Sequence, residues 1–168
     1  WPVPEAALAA MGAACSTVLS ENVRHLQGAG PPEDHSARRR AGARLLEAVR
    51  SGEAQEVKRV LHDGAPANAS DDHGWMPLHY AASRGDSEVC RLLLGFQGDA
   101  NATLPDLSTP LMLAVEEAHL EVAALLLQGG ALTKCKDEDG FTAFGRCDAV
   151  IKEDFSRLTS SLPADGAA

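Results

Sequence analysis

A segment of 33 residues recurs along the middle of this chain, and this repeat constrains the fold more than any other feature of the sequence. When the sequence is shifted by 33 positions, residues 76–79 (MPLH) align with residues 109–112 (TPLM) without a gap. In the same register, the LLL run at 92–94 aligns with the LLL run at 125–127. A fixed period of this length is typical of arrays in which one small structural unit is stacked on the next.

Each period contains two short amphipathic stretches, such as PLHYAASR and SEVCRLLL, which Gly85 and Asp86 separate as a turn. A helix of two turns is marginal in water, and a pair of such helices cannot bury its apolar face alone. Stacked pairs, by contrast, bury a continuous core of Leu, Val and Ala. The sequence therefore predicts an all-α array of helix pairs. The small residues expected to let neighbouring helices approach closely are Ala48, Ala81, Ala114 and Ala123.

The start of the first helix of each unit has its own signals. Pro77 and Pro110 suit a first helical turn, where the missing N–H would be unpaired in any case. Thr109 suits the N-cap position, whereas Met76 has no hydroxyl with which to cap the equivalent helix.

This pattern resembles the ankyrin repeat, whose period and T-P-L-H-x-A core are distinctive. The resemblance implies an ankyrin-repeat solenoid of stacked helix-turn-helix units with short β-hairpin loops. We expect a disordered or weakly structured leader over 1–37, a repeat domain over 38–162 and a tail over 163–168, with residues 27–43 read as a linker. The units are 38–70, 71–103, 104–136 and 137–162.

The fourth unit is degenerate, because Thr159 stands where a core Leu is expected, and we read it as a C-terminal cap or a frayed end. Within the better units, Gln97 occupies a position that is glycine elsewhere, so it must adopt another cap or a strained left-handed turn. Leu107 replaces the loop glycine seen at Gly74 and Gly140, and we expect a distorted tip there.

Charge narrows the class of partner. The net charge is −9, and residues 51–168 alone hold 9 basic and 19 acidic residues, giving −10. Phosphate binding needs a positive face, so nucleic acid is not expected as a partner. The repeat domain should be steered towards a protein or peptide with a basic surface.

The sequence contains no catalytic constellation such as G-x-S-x-G, a phosphate-binding loop or H-E-x-x-H. We therefore expect no enzymatic activity, no cofactor and no metal. The acidic runs at 71–72, 116–117 and 137–139 are expected on loop tips and a helix surface, solvated by water. His79 stands at the histidine position of the resembled motif, which implies a structural hydrogen bond between adjacent loops.

Two further features have ordinary structural explanations. Cys90 lies in an apolar run and is expected to be a buried, reduced thiol. Asn68 and Asn101 begin N-glycosylation sequons one period apart. Asn-Ala is the ordinary end of this repeat, so the recurrence needs no glycosylation to explain it.

The resemblance implies a binding surface made of loop tips and first helices along one concave side. Trp75 stands out as a candidate contact, because it lies in a polar tip. Local packing over Met76 or over the neighbouring hairpin explains its position equally well. The predicted partner-binding residues are Asp72, His73, Trp75, Tyr80, Ser83, Arg84, Asp106, Ser108, Leu113, Glu116, Glu117, Glu138, Asp139 and Phe141.

The favoured function is thus a monomeric, non-catalytic adaptor or scaffold in the cytoplasm or nucleus. The alternatives are a regulator or inhibitor of an enzyme such as a kinase, and the substrate-recognition arm of a ubiquitin ligase. A lipid-anchored scaffold is a further alternative. It requires Met11 to be the start, with Gly12 as the N-myristoylation acceptor and Cys15 as a second lipid site. A chance match in an alanine-rich leader is the simpler explanation of MGAACS.

Overall fold

The computed structural model describes residues 35–160 of the chain. Residues 1–34 of the predicted leader, the predicted tail, and the lipidation sites at Gly12 and Cys15 lie outside it. The expected leader is wrong for residues 35–37, which begin the first helix. The described residues form eight helices in four pairs and no β-strand. The pairs are α1 (His35–Ser51) with α2 (Ala54–His62), α3 (Pro77–Arg84) with α4 (Ser87–Gly95), α5 (Pro110–Glu116) with α6 (Leu120–Gln128), and α7 (Ala143–Arg146) with α8 (Lys152–Ser160).

The core runs through the stack at the positions that the repeat predicts. On the first helices, Leu45, Leu78 and Leu111 are at most 2% exposed. On the second helices, Val57 and Cys90 are fully buried or nearly so. The close-approach positions Ala48, Ala81, Ala114 and Ala123 are all buried. The prediction of a stacked all-α array is confirmed.

The helix starts follow their sequence signals. The Thr109 hydroxyl accepts a hydrogen bond from the N–H of Met112 at 3.4 Å, which confirms the predicted cap. Thr142 makes the equivalent bond to Gly145. Met76 makes no such bond through a hydroxyl, and its own N–H donates instead to Nδ1 of His79 at 3.2 Å.

Two asparagines join successive units. The Asn68 side chain donates to the Gln97 carbonyl at 3.1 Å and accepts from the Asp99 N–H at 2.8 Å. One period later, Asn101 makes the same pair of bonds to the Gly130 carbonyl and the Leu132 N–H, at 3.0 and 2.8 Å. Both sequon amides are therefore engaged within the fold.

The predicted linker over 27–43 is wrong for residues 35–43, which form the first half of α1. Alanine and arginine are good helix formers, so the three-arginine run at 38–40 does not interrupt a helix. Gly42 is buried, and a Cβ atom on it would lie 2.7 Å from the Cβ of Ala69. Close packing thus explains a glycine that looks like a linker residue in the sequence.

Three residues other than glycine adopt the left-handed backbone region within the described range: Gln97 (φ 63°), Leu107 (φ 62°) and Ala118 (φ 61°). This conformation costs roughly 1–2 kcal/mol for residues with a Cβ atom. Gln97 confirms the predicted strained turn. The predicted distortion at Leu107 is wrong, because that loop keeps the hydrogen bonds of its neighbours: the N–H of Leu104 donates to Ser108 O at 3.0 Å.

The fourth unit is helical but abbreviated. α7 has four residues, whereas α3 has eight and α5 has seven. Phe144 takes the position of the buried Leu78 and Leu111, yet it is 44% exposed. On α8, Ser156 and Thr159 replace residues that are apolar in the other units. The outer face of α8 is therefore partly polar, as expected of a terminal unit.

Candidate interaction surface

Three loop tips lie side by side at one edge of the array. Residues 71–75, 104–108 and 137–141 are each closed by a bond from the first N–H to the fifth carbonyl, at 2.9 to 3.0 Å. The second and third tips are joined directly, since the Glu138 N–H donates to Asp106 O at 2.9 Å. Gly74 of the first tip packs against Pro105 of the second, where a Cβ atom would lie 3.1 Å from the proline ring.

The first tip is organised by Asp71, which the sequence analysis assigned to solvent. One carboxylate oxygen of Asp71 accepts from the N–H groups of His73 and Trp75, both at 2.9 Å. The other accepts from Arg50 at 2.9 Å and from the Tyr80 hydroxyl at 2.6 Å. The expectation of a solvated Asp71 is therefore wrong, because its side chain is only 13% exposed.

These contacts also set the protonation of the network. Burial by itself raises the pKa of Asp71, but the bonds from Tyr80 and the two N–H groups, with the charge of Arg50, outweigh it and lower that pKa below 3.8. Burial and the bond to Asp71 raise the pKa of Tyr80. The network therefore holds an ionised carboxylate against a neutral phenol and a guanidinium.

Trp75 is half-buried rather than free in solvent. Its ring lies 4.9 Å from that of Tyr80, centroid to centroid, and 6.2 Å from that of His79. The Arg50 guanidinium covers the Tyr80 ring at 4.7 Å. Local packing thus fixes the orientation of Trp75 and leaves part of the indole at the surface.

Arg84 and Ser83, at the end of α3, are partly used by the fold. Arg84 donates to the Arg50 carbonyl and to a carboxylate oxygen of Asp86, the latter at 2.9 Å. The Ser83 carbonyl is 3.2 Å from Nε2 of His119 in the next unit. The Arg84 side chain remains 44% exposed.

In the third unit the predicted residues divide into two groups. Ser108 is 7% exposed, and both its N–H and its hydroxyl donate to Asp106, at 3.1 and 3.0 Å. Ser108 therefore shapes the tip and offers a partner little surface. Leu113 is half-buried, whereas the predicted residues Asp106, Glu116 and Glu117 are exposed.

In the fourth unit, Arg146 forms ion pairs with three carboxylates. Its guanidinium lies 2.6 Å from Asp137, 3.2 Å from Asp139 and 3.6 Å from Glu116. The expectation of a solvated Asp137 is wrong, since its side chain is 1% exposed and also accepts from the Phe141 N–H at 2.8 Å. Burial raises the pKa of Asp137, and the bonds from Arg146 and Phe141 outweigh that effect and lower it.

The exposed side chains on this edge are mostly acidic or apolar. Phe141 is 51% exposed and Leu107 is 49% exposed. The exposed residues at the predicted contact positions are Asp72, His73, Arg84, Asp106, Glu116, Glu117, Glu138, Asp139 and Phe141. We call the three tips, together with the exposed faces of α3 and α5 and the residue that caps the end of α5, Glu117, the tip surface.

Asp71 and Asp137 organise their tips, which was not predicted from the sequence. The sequence does contain a signal for them. The segments DDHGW (71–75) and DEDGF (137–141) lie two periods apart, and each has an aspartate four residues before an aromatic residue. No comparable signal exists for Arg50 and Arg146, which occupy different positions of the repeat.

Within residues 35–160, no group of three or more His, Cys, Asp or Glu side chains is placed to hold a metal ion. A search of the same residues finds no helix long and apolar enough to span a membrane.

Known proteins share this sequence pattern. A family description, "Ankyrin repeats (3 copies)", matches residues 45–144. An ankyrin repeat-containing protein of Schizosaccharomyces pombe is 35% identical over 97 residues, 57% of this chain and 45% of that protein. Human protein phosphatase 1 regulatory subunit 27 is 40% identical over 68 residues, 40% of this chain and 44% of that protein.

A third relative, the E3 ubiquitin-protein ligase XBAT33 of Arabidopsis thaliana, is 32% identical over 139 residues, 75% of this chain and 27% of that protein. The chain thus spans less than half the length of these relatives.

Proposed function

The chain belongs to the ankyrin repeat family, and we propose that it is a non-catalytic interaction module whose tip surface binds a protein or peptide segment carrying basic and apolar side chains. The observation that carries this proposal is the tip surface itself. Its three tips are fixed to one another, and exposed carboxylates alternate there with Trp75, Leu107 and Phe141.

Rigidity supports the proposal. Arg50 and Arg146 each tie a tip to the neighbouring helices, so the tip residues are ordered before a partner arrives. Preorganised side chains lose less conformational entropy on binding, and aromatic residues in such positions often dominate the energy of an interface.

Charge supports the same class of partner. Asp72, Asp106, Glu117 and Glu138 are exposed on the tip surface. A surface of this sign accelerates association with basic partners at low salt and disfavours nucleic acid. We propose that a monomer binds such a partner.

A regulatory role is a second candidate within the same binding function. A relative named as a regulatory subunit of a protein phosphatase matches 68 residues at 40% identity, and another is named as a ubiquitin ligase. We propose that this chain supplies the recognition surface of a larger assembly. The three free cysteines of the described part suit a reducing compartment, the cytoplasm or nucleus.

The test uses short peptides selected from a displayed random library on the full chain, with affinities measured by fluorescence anisotropy. The selected peptides should be rich in Lys and Arg around a large apolar residue. Trp75→Ala should weaken their binding about tenfold or more, because it removes an aromatic contact. Glu117→Lys should also weaken peptide binding, and the loss of affinity should be larger at low salt than at high salt.

Arg91→Ala is the matched control, since Arg91 is exposed on α4, outside the tip surface, and should leave affinity unchanged. Thermal unfolding would establish that each variant is folded. Unchanged affinity in folded Trp75→Ala and Glu117→Lys would refute the proposed surface.

A further inference from the structure

Leu107 combines two properties that the fold does not require. It holds the left-handed backbone conformation, with φ at 62°, where the equivalent residues of the neighbouring units are Gly74 and Gly140. Its side chain is nevertheless large, apolar and 49% exposed. Gln97 and Ala118 share the backbone conformation, but neither places a large apolar group at the surface.

The fold gains little from this leucine. The hydrogen bond that closes its turn, from the Leu107 N–H to Leu104 O at 2.9 Å, is made by Gly74 and Gly140 in the other tips, at 3.1 and 3.0 Å. A glycine would therefore form the same turn without the strain of a Cβ atom. Strain kept at a local site without a gain in packing is typical of positions used for function.

The position of Leu107 is central in the tip surface. Asp106, the preceding residue, bonds through its carbonyl to Glu138 of the next tip. Pro105 packs against Gly74 of the previous tip. Leu107 thus projects from the middle tip, between the one that carries Trp75 and the one that carries Phe141.

We propose that Leu107 is a specificity-determining apolar anchor that contacts a large apolar side chain of the partner, flanked in the partner by Lys or Arg. This proposal rests on the proposed function of the tip surface. Carboxylates on the same tips, at Asp72, Asp106 and Glu138, match the flanking basic residues, and Leu107 supplies the central apolar contact.

The decisive comparison is between variants that relieve the same strain. Leu107→Gly, Gln97→Gly and Ala118→Gly should each raise the melting temperature by a few degrees. Leu107→Gly should weaken binding of the library-selected peptides about tenfold, whereas Gln97→Gly and Ala118→Gly should leave it within about twofold.

A second variant separates the side chain from the backbone. Leu107→Ala keeps a Cβ atom and the strain, so it should lose affinity without gaining stability. Leu107→Met, which keeps a large apolar group, should retain most of the affinity.

The outcomes distinguish this proposal from the one it rests on. If Trp75→Ala weakens binding and Leu107→Gly does not, Leu107 is no anchor although the tip surface binds. If Trp75→Ala, Glu117→Lys and Leu107→Gly all leave binding unchanged, both proposals are wrong. A lower melting temperature for Leu107→Gly would show that the fold needs the leucine, and it would overturn the argument from strain.

Discussion

Leu111→Ala is expected to lower the free energy of unfolding by about 3 kcal/mol or more, the largest effect that we expect from a single substitution. Leu111 is fully buried on α5, in the middle of the array. Removing its side chain loses the transfer free energy of the buried methyl groups and leaves a cavity between units. Each unit packs only against its neighbours, so a defect in the third unit weakens its packing against both the second and the fourth unit.

Urea denaturation followed by circular dichroism would measure this change. Leu132→Ala is the matched control, because Leu132 is 48% exposed and its truncation should change stability by less than about 0.5 kcal/mol. Similar losses of unfolding free energy in Leu111→Ala and Leu132→Ala would contradict the buried stack of helix pairs.

His79→Ala is expected to be the second most destabilising change, at about 2–3 kcal/mol. The His79 ring is fully buried and makes two hydrogen bonds. Nδ1 accepts from the Met76 N–H, and Nε2 lies 3.2 Å from Ala102 O, to which it donates. Alanine would leave the Ala102 carbonyl and the Met76 N–H without these partners, in a site that water enters with difficulty.

The same histidine should make stability depend on pH. Burial lowers the pKa of His79 below its ordinary value of 6.5, although the bond to Ala102 and the charges of Asp106 and Asp99 oppose that shift. The unfolded chain therefore takes up a proton before the folded chain does. The stabilisation from the neutral ring is complete above pH 6.5 and is lost as the pH falls towards the folded pKa.

Unfolding free energies measured between pH 7.5 and 5 would test this sign, with an expected slope from this group of at most about 1.4 kcal/mol per pH unit. The slope should be shallower in His79→Ala than in the unsubstituted chain, because the alanine variant lacks the buried ring whose pKa is lowered. A ring titration by NMR that placed the pKa of His79 above 6.5 would contradict the prediction.

Much of the fold is predictable because its determinants are local and periodic. The cap at Thr109, the buried Leu78 and Leu111, and the left-handed turn at Gln97 all follow from one register. The first half of α1 is not predictable in this way. In the sequence Gly42 resembles a linker residue, and its close packing against Ala69 is known only from the structure.

The candidate surface is predictable only in outline. The repeat register identifies which positions reach the tips, so Trp75 and Phe141 are found from the sequence. It does not identify Ser108 as buried or Asp71 as bonded, since both depend on how a tip closes on itself. The sequence predicts an unusual backbone at Leu107, whereas the exposure of its side chain follows from how the neighbouring tips are arranged.

The period, the pairing of short helices and the apolar core positions can all be read from the sequence alone, because each unit repeats one pattern of local preference and burial. Which polar side chains meet is known only from the folded array. Arg50 reaches Asp71 and Tyr80 across 21 and 30 positions of the chain. Contacts of this kind depend on how adjacent units stack and on the conformations of long side chains, which a pattern of residue types does not encode.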